Sequence, residues 1–171
     1  MITIRAILPA DNSAIATIIR DTLTEFGANK PGTAYYDAAT DDMFGSFQVN
    51  GSRYHVGLIH EQSAIDGHDL AGSHIAGGGG IYPSAGLPEG VCELVKMYLA
   101  PTARGKGLGK RLIEECLAFA RSYGYRQVYI ETMPELQKAM SIYEKFGFNY
   151  LDGPMGNTGH YGCSVWMLKN L

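Results

Sequence analysis

The chain is poor in cysteine and contains no long apolar run. Its 171 residues include three widely spaced cysteines, Cys92, Cys116 and Cys163, with no Cys-x-x-Cys pair and no metal-ligand spacing to the five histidines. We therefore expect free thiols, no metal and a reducing compartment. No eighteen apolar residues follow one another, and the N-terminus lacks the apolar stretch of a signal peptide. The sequence predicts a soluble cytoplasmic protein without a membrane partner.

Long basic runs are also missing. The formal net charge is -3, which argues against a general nucleic-acid surface. One local cluster, formed by Arg104, Lys106, Lys110 and Arg111, suits a small phosphorylated ligand instead. The length and the hydrophobic content of 46% fit one domain, residues 1–171, with a sizeable core.

Hydrophobic periodicity predicts strands and helices along the whole chain. Asp11 is placed to cap the first helix, and Gly27, Gly124 and Gly147 are placed to end three helices. We expect a mixed α/β sheet with helices on its faces. The predicted strands are Ile2–Leu8, Arg53–His60, Ser73–Tyr82, Val91–Leu99, Gln127–Glu131, Phe148–Leu151 and Cys163–Leu168, and the predicted helices follow Asp11, span 41–47 and Leu108–Tyr123, and begin at Pro134.

Two stretches near the predicted second and third strands have special features. A polar connection, Glu61 to Gly72, carries Asp66-Gly67 as a turn signal, which predicts an antiparallel meander. A glycine run, Gly77 to Gly80, lies late in the third strand. It indicates either a tightly packed or bulged strand or the close approach of a ligand.

The stretch Arg104 to Gly109 joins a predicted strand to a predicted helix. Such a glycine-rich bend presents backbone N–H groups at the positive end of a helix dipole and predicts an anion site. The spacing fails the Walker A pattern, because Arg111 follows Gly109-Lys110 where Ser or Thr is required. It also fails the dinucleotide pattern, because the three glycines recur every two residues.

The pattern that fits is Arg or Gln, two residues, Gly, one residue, then Gly or Ala, as in Arg104, Gly107 and Gly109. Together with Leu99-Ala100-Pro101 and with the segment Ile142 to Phe148, it resembles the GNAT superfamily of acyl-coenzyme A dependent N-acyltransferases. The resemblance implies a GNAT fold with a mixed, mostly antiparallel sheet of about seven strands. It also implies a fourth and a fifth strand that splay apart, and flanking helices.

The resemblance implies acetyl-coenzyme A as the acetyl donor, with its pyrophosphate on the bend and its pantetheine arm along the fourth strand. Side chains of Lys106, Lys110 or Arg111 are expected to reach phosphate oxygens. Leu136 stands where the family often has an asparagine, so that cofactor contact is not carried over. The implied cofactor-binding residues are Met97, Leu99, Arg104, Gly105, Lys106, Gly107, Leu108, Gly109, Lys110 and Tyr143.

Tyr143 matches the family's tyrosine that protonates the departing thiolate. For the general base the leading candidate is Glu93, because several family members use a glutamate on the fourth strand. Alternatively, Glu93 is a solvated carboxylate at the start of the strand. Glu131 and His160 are rival bases, and Cys163 near His160 is interpreted as structural rather than as a nucleophile.

The acceptor is expected to bind between the loop after the first helix and the loop before the last strand. Tyr35, Tyr36, Glu131 and His160 are the candidate substrate residues, although the tyrosine pair equally fits a satellite core. The predicted function is acetyl transfer to a primary amine of a small molecule, amino acid or peptide by direct attack in a ternary complex. The alternative is a non-catalytic acyl-coenzyme A binding module. A homodimer paired through Cys163–Leu168 as an edge strand is also considered.

Overall fold

The computed structural model describes residues 1–65 and 68–171, and it describes side chains outside 61–71. The helices and strands follow one another in the order that the periodicity predicts. The strands are β1 (Ile2–Ala6), β2 (Arg53–Ile65), β3 (His68–Tyr82), β4 (Val91–Leu99), β5 (Gln127–Thr132), β6 (Asn149–Leu151) and β7 (Val165–Asn170), and the α-helices are α1 (Asn12–Glu25), α2 (Met43–Ser46), α3 (Leu108–Tyr123) and α4 (Gln137–Lys145).

The seven strands form one sheet in the order β1-β2-β3-β4-β5-β7-β6. All neighbouring pairs are antiparallel except β4 and β5, which are parallel. The mixed, mostly antiparallel sheet is therefore confirmed. The expectation that Cys163–Leu168 forms an edge strand is wrong, because β7 pairs with β5 on one side and with β6 on the other. Trp166 to Leu168 already have strand partners on both sides, so this part of β7 has no free edge for a second copy.

The β2–β3 hairpin is longer than predicted. The two strands stay paired to Ile65 and His68, so most of the expected polar connection is strand. A ladder is held by backbone hydrogen bonds, which polar side chains do not prevent. The Asp66-Gly67 turn signal lies outside the described residues.

Helix boundaries follow the capping signals, with one exception. Gly27, Gly124 and Gly147 all have positive φ, as helix-ending glycines require. Asp11 precedes α1, but its carboxylate accepts hydrogen bonds from the Leu8 N–H and from Arg5 instead of capping the helix. The segment after Pro134 starts as a 3-10 turn, and α4 begins three residues later at Gln137.

The sheet carries helices on both faces. Neighbouring residues of β3 reach different core clusters: Ile81 packs with α3, and Tyr82 packs against the cluster that contains α1. Because successive strand residues point to opposite faces, α1 and α3 lie on opposite sides of the sheet. No helix in the described part of the chain combines the length and apolar character needed to cross a membrane.

The glycine run in β3 is a tightly packed, bulged strand. A Cβ at Gly78 would lie 2.6 Å from the Tyr54 ring, and a Cβ at Gly80 would lie 2.7 Å from both Tyr54 and Phe47. The pairing of β3 with β4 also shifts register between these two glycines. Glycine is therefore required here because aromatic rings occupy the space of a side chain.

We predict that Gly80→Ala lowers the free energy of unfolding by about 1–3 kcal/mol, because the new methyl group overpacks the core. Besides the two rings, its Cβ would meet the Arg53 carbonyl oxygen at 2.8 Å. Gly72→Ala on the same strand is the matched control, since its Cβ would have nothing within 4 Å. Urea unfolding of both variants measures the difference. Equal stabilities would contradict this packing argument.

Candidate active site

The parallel strands β4 and β5 pair only at their beginnings. The last paired residues are Glu93 and Tyr129, although β4 continues to Leu99 and β5 to Thr132. Beyond this point the two strands diverge. The expected splay is therefore present, and it leaves backbone groups of β4 facing an open gap rather than a neighbouring strand.

A bulge in β4 lies inside the divergent part. Val95 pairs with Gly80 and Tyr98 with Gly78, so two residues of β4 stand opposite one residue of β3. At the bulge Lys96 has a φ of 49°, the one positive φ of a non-glycine residue in the described chain. Its carbonyl accepts a 2.9 Å hydrogen bond from the Tyr54 hydroxyl, which helps to hold this uncommon conformation.

The gap between β4, α3 and α4 is an open cavity of about 650 Å³. It contains most of the residues that the family resemblance implies for the cofactor. Lys106 and Leu108 do not line it, and the Leu108 side chain is buried in the core. The implied residues that line it are Met97, Leu99, Arg104, Gly105, Gly107, Gly109, Lys110 and Tyr143.

The bend before α3 has the backbone geometry of an anion site. Gly105 and Gly107 have φ values of 76° and 84°, a region that other residues rarely adopt. Gly107 is the N-cap of α3, so the first N–H groups of this helix have no intrahelical partner. These donors and the helix dipole together favour a phosphate group at the bend.

The basic side chains at the gap divide into two sets. Arg111 donates to the Ile2 carbonyl at 2.9 Å and does not line the gap, so the structure does not place it where phosphate oxygens are expected. Arg104 lines the gap and forms two 2.7 Å hydrogen bonds with Glu25. The α4 residues Lys138 and Lys145 also line the gap and were missed, since lysines on an exposed helix face give no distinctive sequence signal.

A second, smaller cavity of about 50 Å³ lies beside the point where β4 and β5 separate. Glu93, Glu131, His160 and Cys163 are among its lining residues. Glu93 is only 2% exposed and accepts a hydrogen bond from the Ser84 hydroxyl, so the interpretation of it as a solvated carboxylate is wrong.

The loop after α1 contributes to this region through residues other than the predicted tyrosine pair. Tyr36 is 63% exposed, Tyr35 packs against the core, and neither lines the cavity. Thr33 and Ala34 line it instead. Asp37 on the same loop was missed by the sequence reasoning. A single aspartate in a turn-rich stretch gives no signal of the contacts described next.

Partly buried charges connect the loop after α1 with the loop before β7. Asp37 Oδ2 lies 2.5 Å from the Lys96 ammonium and 3.0 Å from His160 Nε2. His160 Nδ1 lies 3.8 Å from a carboxylate oxygen of Glu93 and 3.8 Å from one of Glu131. Three carboxylates and two basic groups therefore share one partly buried network.

These contacts determine the protonation of His160. Burial alone would lower its pKa, but Asp37 and Glu93 outweigh burial and raise the pKa to about 9. At neutral pH the imidazole is therefore a cation, which disfavours His160 as the general base. Burial acts to raise the pKa of Asp37, but His160 and Lys96 reverse this effect and lower the pKa below its ordinary value.

The pKa of Glu131 shifts in the opposite direction from that of Asp37. Burial and the neighbouring Glu93 raise the pKa of Glu131 above the ordinary value, against hydrogen bonds from Thr158 at 2.5 Å and Tyr129 at 2.8 Å. A carboxylate with a raised pKa is a better proton acceptor. Burial likewise raises the pKa of Cys163 to about 12, which keeps it a thiol and agrees with a structural role.

Glu93, Glu131 and His160 also offer ligand atoms within 4.8 Å of one another. Three such groups could surround a metal ion, which the sequence spacing does not indicate. His160 would first have to lose a proton, because metals bind neutral imidazole. Nothing else about this cluster favours a metal over the hydrogen bonds already described.

The two cavities share a boundary at the diverging strands. Tyr143, which is 5% exposed, lies on this boundary, and its ring contacts Phe148 at a centroid distance of 5.9 Å. Burial raises the pKa of Tyr143 well above its ordinary value, so the phenol stays protonated. The residues that line both cavities are Met97, Tyr98, Leu136, Ala139 and Tyr143.

This arrangement agrees with a comparison of the chain with known families. Residues 20–148, the larger part of the chain, match the model of the acetyltransferase (GNAT) family. The chain belongs to the GNAT acetyltransferase family. The resemblance inferred from Arg104 to Gly109 and from the Tyr143 segment is thereby confirmed.

Individual GNAT relatives support the same assignment. An uncharacterized N-acetyltransferase of Escherichia coli (strain K12), YjgM, is 37% identical over 163 residues, covering 94% of this chain and 90% of the relative. A GNAT acetyltransferase from Staphylococcus aureus Mu50 has the same fold, with a TM-score of 0.79, 16% identity and 99% of each chain covered. A phosphinothricin acetyltransferase from Sinorhizobium meliloti in complex with AcCoA has a TM-score of 0.72 at 22% identity, covering 99% and 88%. The chain is an N-acetyltransferase of the GNAT fold.

We predict that stability falls as the pH rises through 9, because His160 then loses its charge. Its pKa of about 9 in the folded state exceeds the ordinary 6.5. The imidazolium therefore stabilises the fold fully below pH 6.5, and a stabilisation on the order of 3 kcal/mol is lost as the pH rises from 6.5 through 9. Denaturant unfolding from pH 6.5 to 9.5 measures this loss. The loss of stability between these pH values should be smaller in His160→Gln. Identical pH dependences of the free energy of unfolding in the wild type and the variant would contradict the charge network around His160.

Proposed function

We propose that this GNAT enzyme transfers the acetyl group of acetyl-coenzyme A to a primary amine of a small molecule, amino acid or peptide. The amine attacks the thioester directly while both substrates are bound. The observation that supports this most is the shared boundary of the two cavities at Tyr143. Donor and acceptor can approach each other there from opposite sides, with no covalent enzyme intermediate required.

In this proposal coenzyme A occupies the larger cavity. Its pyrophosphate lies on the backbone of Arg104 to Lys110, and its pantetheine arm runs along β4. There its amide groups take the place of the ladder partners that the divergent β5 does not supply to the main chain of Met97 and Leu99. The lysines of α4 add positive charge near the phosphates.

The proton of the acceptor ammonium passes to the buried carboxylates of Glu93 and Glu131. Glu93 remains the leading base, because it stands at the end of the paired part of β4, beside the boundary of the cavities. Glu131 assists as the neighbour whose pKa is raised by burial. His160 is already protonated at neutral pH and contributes positive charge that holds the two carboxylates in place.

Tyr143 completes the reaction as the general acid. When the C–S bond breaks, its protonated phenol donates to the coenzyme A thiolate. Its pKa is raised by burial, so it carries this proton throughout the neutral range. The charge that develops on sulfur is thereby stabilised in a site from which water is largely excluded.

The charges at the small cavity favour a cationic acceptor. The carboxylates of Asp37, Glu93 and Glu131 outnumber the basic groups of Lys96 and His160 by one. A single ammonium group would neutralise this excess. The narrow volume of about 50 Å³ favours an amine on an unbranched carbon over a hindered one.

The release of free thiol from acetyl-coenzyme A in the presence of a panel of primary amines tests the proposed function. We expect amine-dependent release with initial rates that give intersecting double-reciprocal lines, as a ternary complex requires. A non-catalytic binding module would bind coenzyme A, as seen in a thermal-shift series, but would release no thiol with any amine. Parallel lines would instead indicate an acetyl-enzyme.

We predict that Tyr143→Phe lowers kcat about 100-fold, because the thiolate then leaves without its acid. The affinity for coenzyme A should change little, since the ring remains in place. Tyr150→Phe is the matched control, because Tyr150 is exposed, lines neither cavity and donates its hydroxyl to Glu144. Unchanged kcat in Tyr143→Phe would remove this residue from the mechanism.

We further predict that Glu93→Gln lowers kcat about 100-fold and that Glu131→Gln lowers it less. Each amide keeps the shape of the side chain but cannot accept the proton. The acid limb of the kcat/KM pH profile should be altered in both variants, whereas Glu114→Gln on the surface of α3 should leave it unchanged. If both site variants keep the wild-type profile, the acceptor loses its proton to water instead.

A further inference from the structure

The Arg104 side chain lines the gap, but most of its hydrogen-bond donors are already used within the protein. Its Nε and Nη2 donate to the Leu99 carbonyl at 3.3 and 3.2 Å, and its Nη1 and Nη2 donate to the two carboxylate oxygens of Glu25 at 2.7 Å each. A guanidinium has five N–H donors, so these four hydrogen bonds leave one donor for another partner. One face of the guanidinium is also covered, because its central carbon lies 5.2 Å from the centroid of the Phe26 ring.

The Leu99 carbonyl belongs to the divergent part of β4. It shares a trans peptide unit with the Ala100 N–H, which donates to the Ala76 carbonyl of β3 at 2.9 Å. The C=O and N–H groups of one trans peptide point in opposite directions, so the Leu99 carbonyl points away from β3. There it accepts from Arg104 and, at 3.4 Å, from the Thr22 hydroxyl of α1. These side chains supply the donors that a neighbouring strand would otherwise supply.

The contacts of Arg104 join three elements around the gap. Leu99 and Glu25 are the last residues of β4 and α1, and Arg104 begins the glycine-rich bend. The two glycines of the bend with positive φ offer no anchor of their own, since a Cβ at either position would have nothing within 4 Å. The Arg104 side chain therefore holds the start of the bend, and the buried Leu108 holds its end.

We propose that Arg104 is a positioning residue for coenzyme A, whose guanidinium holds the bend against Leu99 and Glu25 instead of binding a phosphate group. This role rests on the proposed coenzyme A site. It keeps the N–H groups that receive the pyrophosphate at a fixed distance from the strand end that receives the pantetheine arm. Such preorganisation reduces the cost of ordering the site on binding. The pantetheine arm is then left the Leu99 N–H rather than its carbonyl.

The affinity of two Arg104 variants for coenzyme A tests this role. Arg104→Gln and Arg104→Lys should both weaken binding roughly tenfold, since neither side chain can reproduce the set of bonds to Leu99 and Glu25. Isothermal titration calorimetry gives the Kd. The KM for acetyl-coenzyme A should rise by a similar factor at nearly unchanged kcat, because the lost interaction is made equally in the ground and transition states.

The charge-conserving variant distinguishes positioning from phosphate binding. A lysine can still contact a phosphate group as a point charge, but it cannot bridge two acceptors as the planar guanidinium does. Wild-type affinity for coenzyme A in Arg104→Lys, beside a loss of affinity in Arg104→Gln, would overturn the positioning role.

Glu25→Gln provides a second test at a residue that does not line the gap. It should weaken coenzyme A binding roughly threefold, because the amide loses the charge and one of the two acceptor oxygens. Asp21→Asn is the matched control, since it removes the same charge from an exposed position of α1 and should keep the wild-type Kd. Equal or tighter binding in Glu25→Gln than in Asp21→Asn would overturn the role, because Glu25 would then be a competitor of the phosphates for Arg104.

The affinities are measured without an acceptor and do not require turnover. If the wild type loses coenzyme A affinity in both Arg104 variants but releases no thiol with any amine, the proposed acetyl transfer fails while the role of Arg104 stands. If the wild type is active and Arg104→Lys keeps its KM for acetyl-coenzyme A, the function stands and the role of Arg104 fails. Thermal unfolding shows whether a variant is folded, and Glu25→Gln decides the question if the Arg104 variants are not.

Discussion

The early end of the β4–β5 pairing is the constraint on which the rest of the site depends. After Glu93 and Tyr129 the two strands have no common ladder. In a continuous parallel sheet such backbone groups are hydrogen-bonded to the next strand, which the divergent part of β5 does not supply. The bulge at Lys96 turns β4 within this region. Both cavities open from this divergence.

Ion pairs hold the loop after α1 and the loop before β7 together. Asp37 connects the bulge residue Lys96 to His160, so the loop after α1 and the loop before β7 are joined through one carboxylate. A buried carboxylate or ammonium without its partner would be strongly destabilising. The network therefore positions Glu93 and Glu131 and carries one net negative charge.

Much of this arrangement could be predicted from the sequence, and the reasons for the exceptions are physical. The bend from Arg104 to Gly109 was found because positive φ values require glycine at fixed spacing, and the strands and helices follow from hydrophobic period. The position of β7 between β5 and β6 has no corresponding signal in the sequence. Asp37 was missed because it reaches the site only through the folded path of an irregular loop. The bulge in β4 could not be predicted, because it has a lysine rather than a glycine at positive φ.

Hydrogen exchange of the backbone amides with and without coenzyme A tests the central claim most directly. If the cofactor fills the gap between the diverging strands, amides at 97–99 and 104–110 should be slowed by its addition, since they gain partners. Amides in the β1–β2 ladder, at the β1 edge of the sheet, should exchange at the same rate with and without coenzyme A. Protection confined to other segments, or none at saturating coenzyme A, would contradict the account.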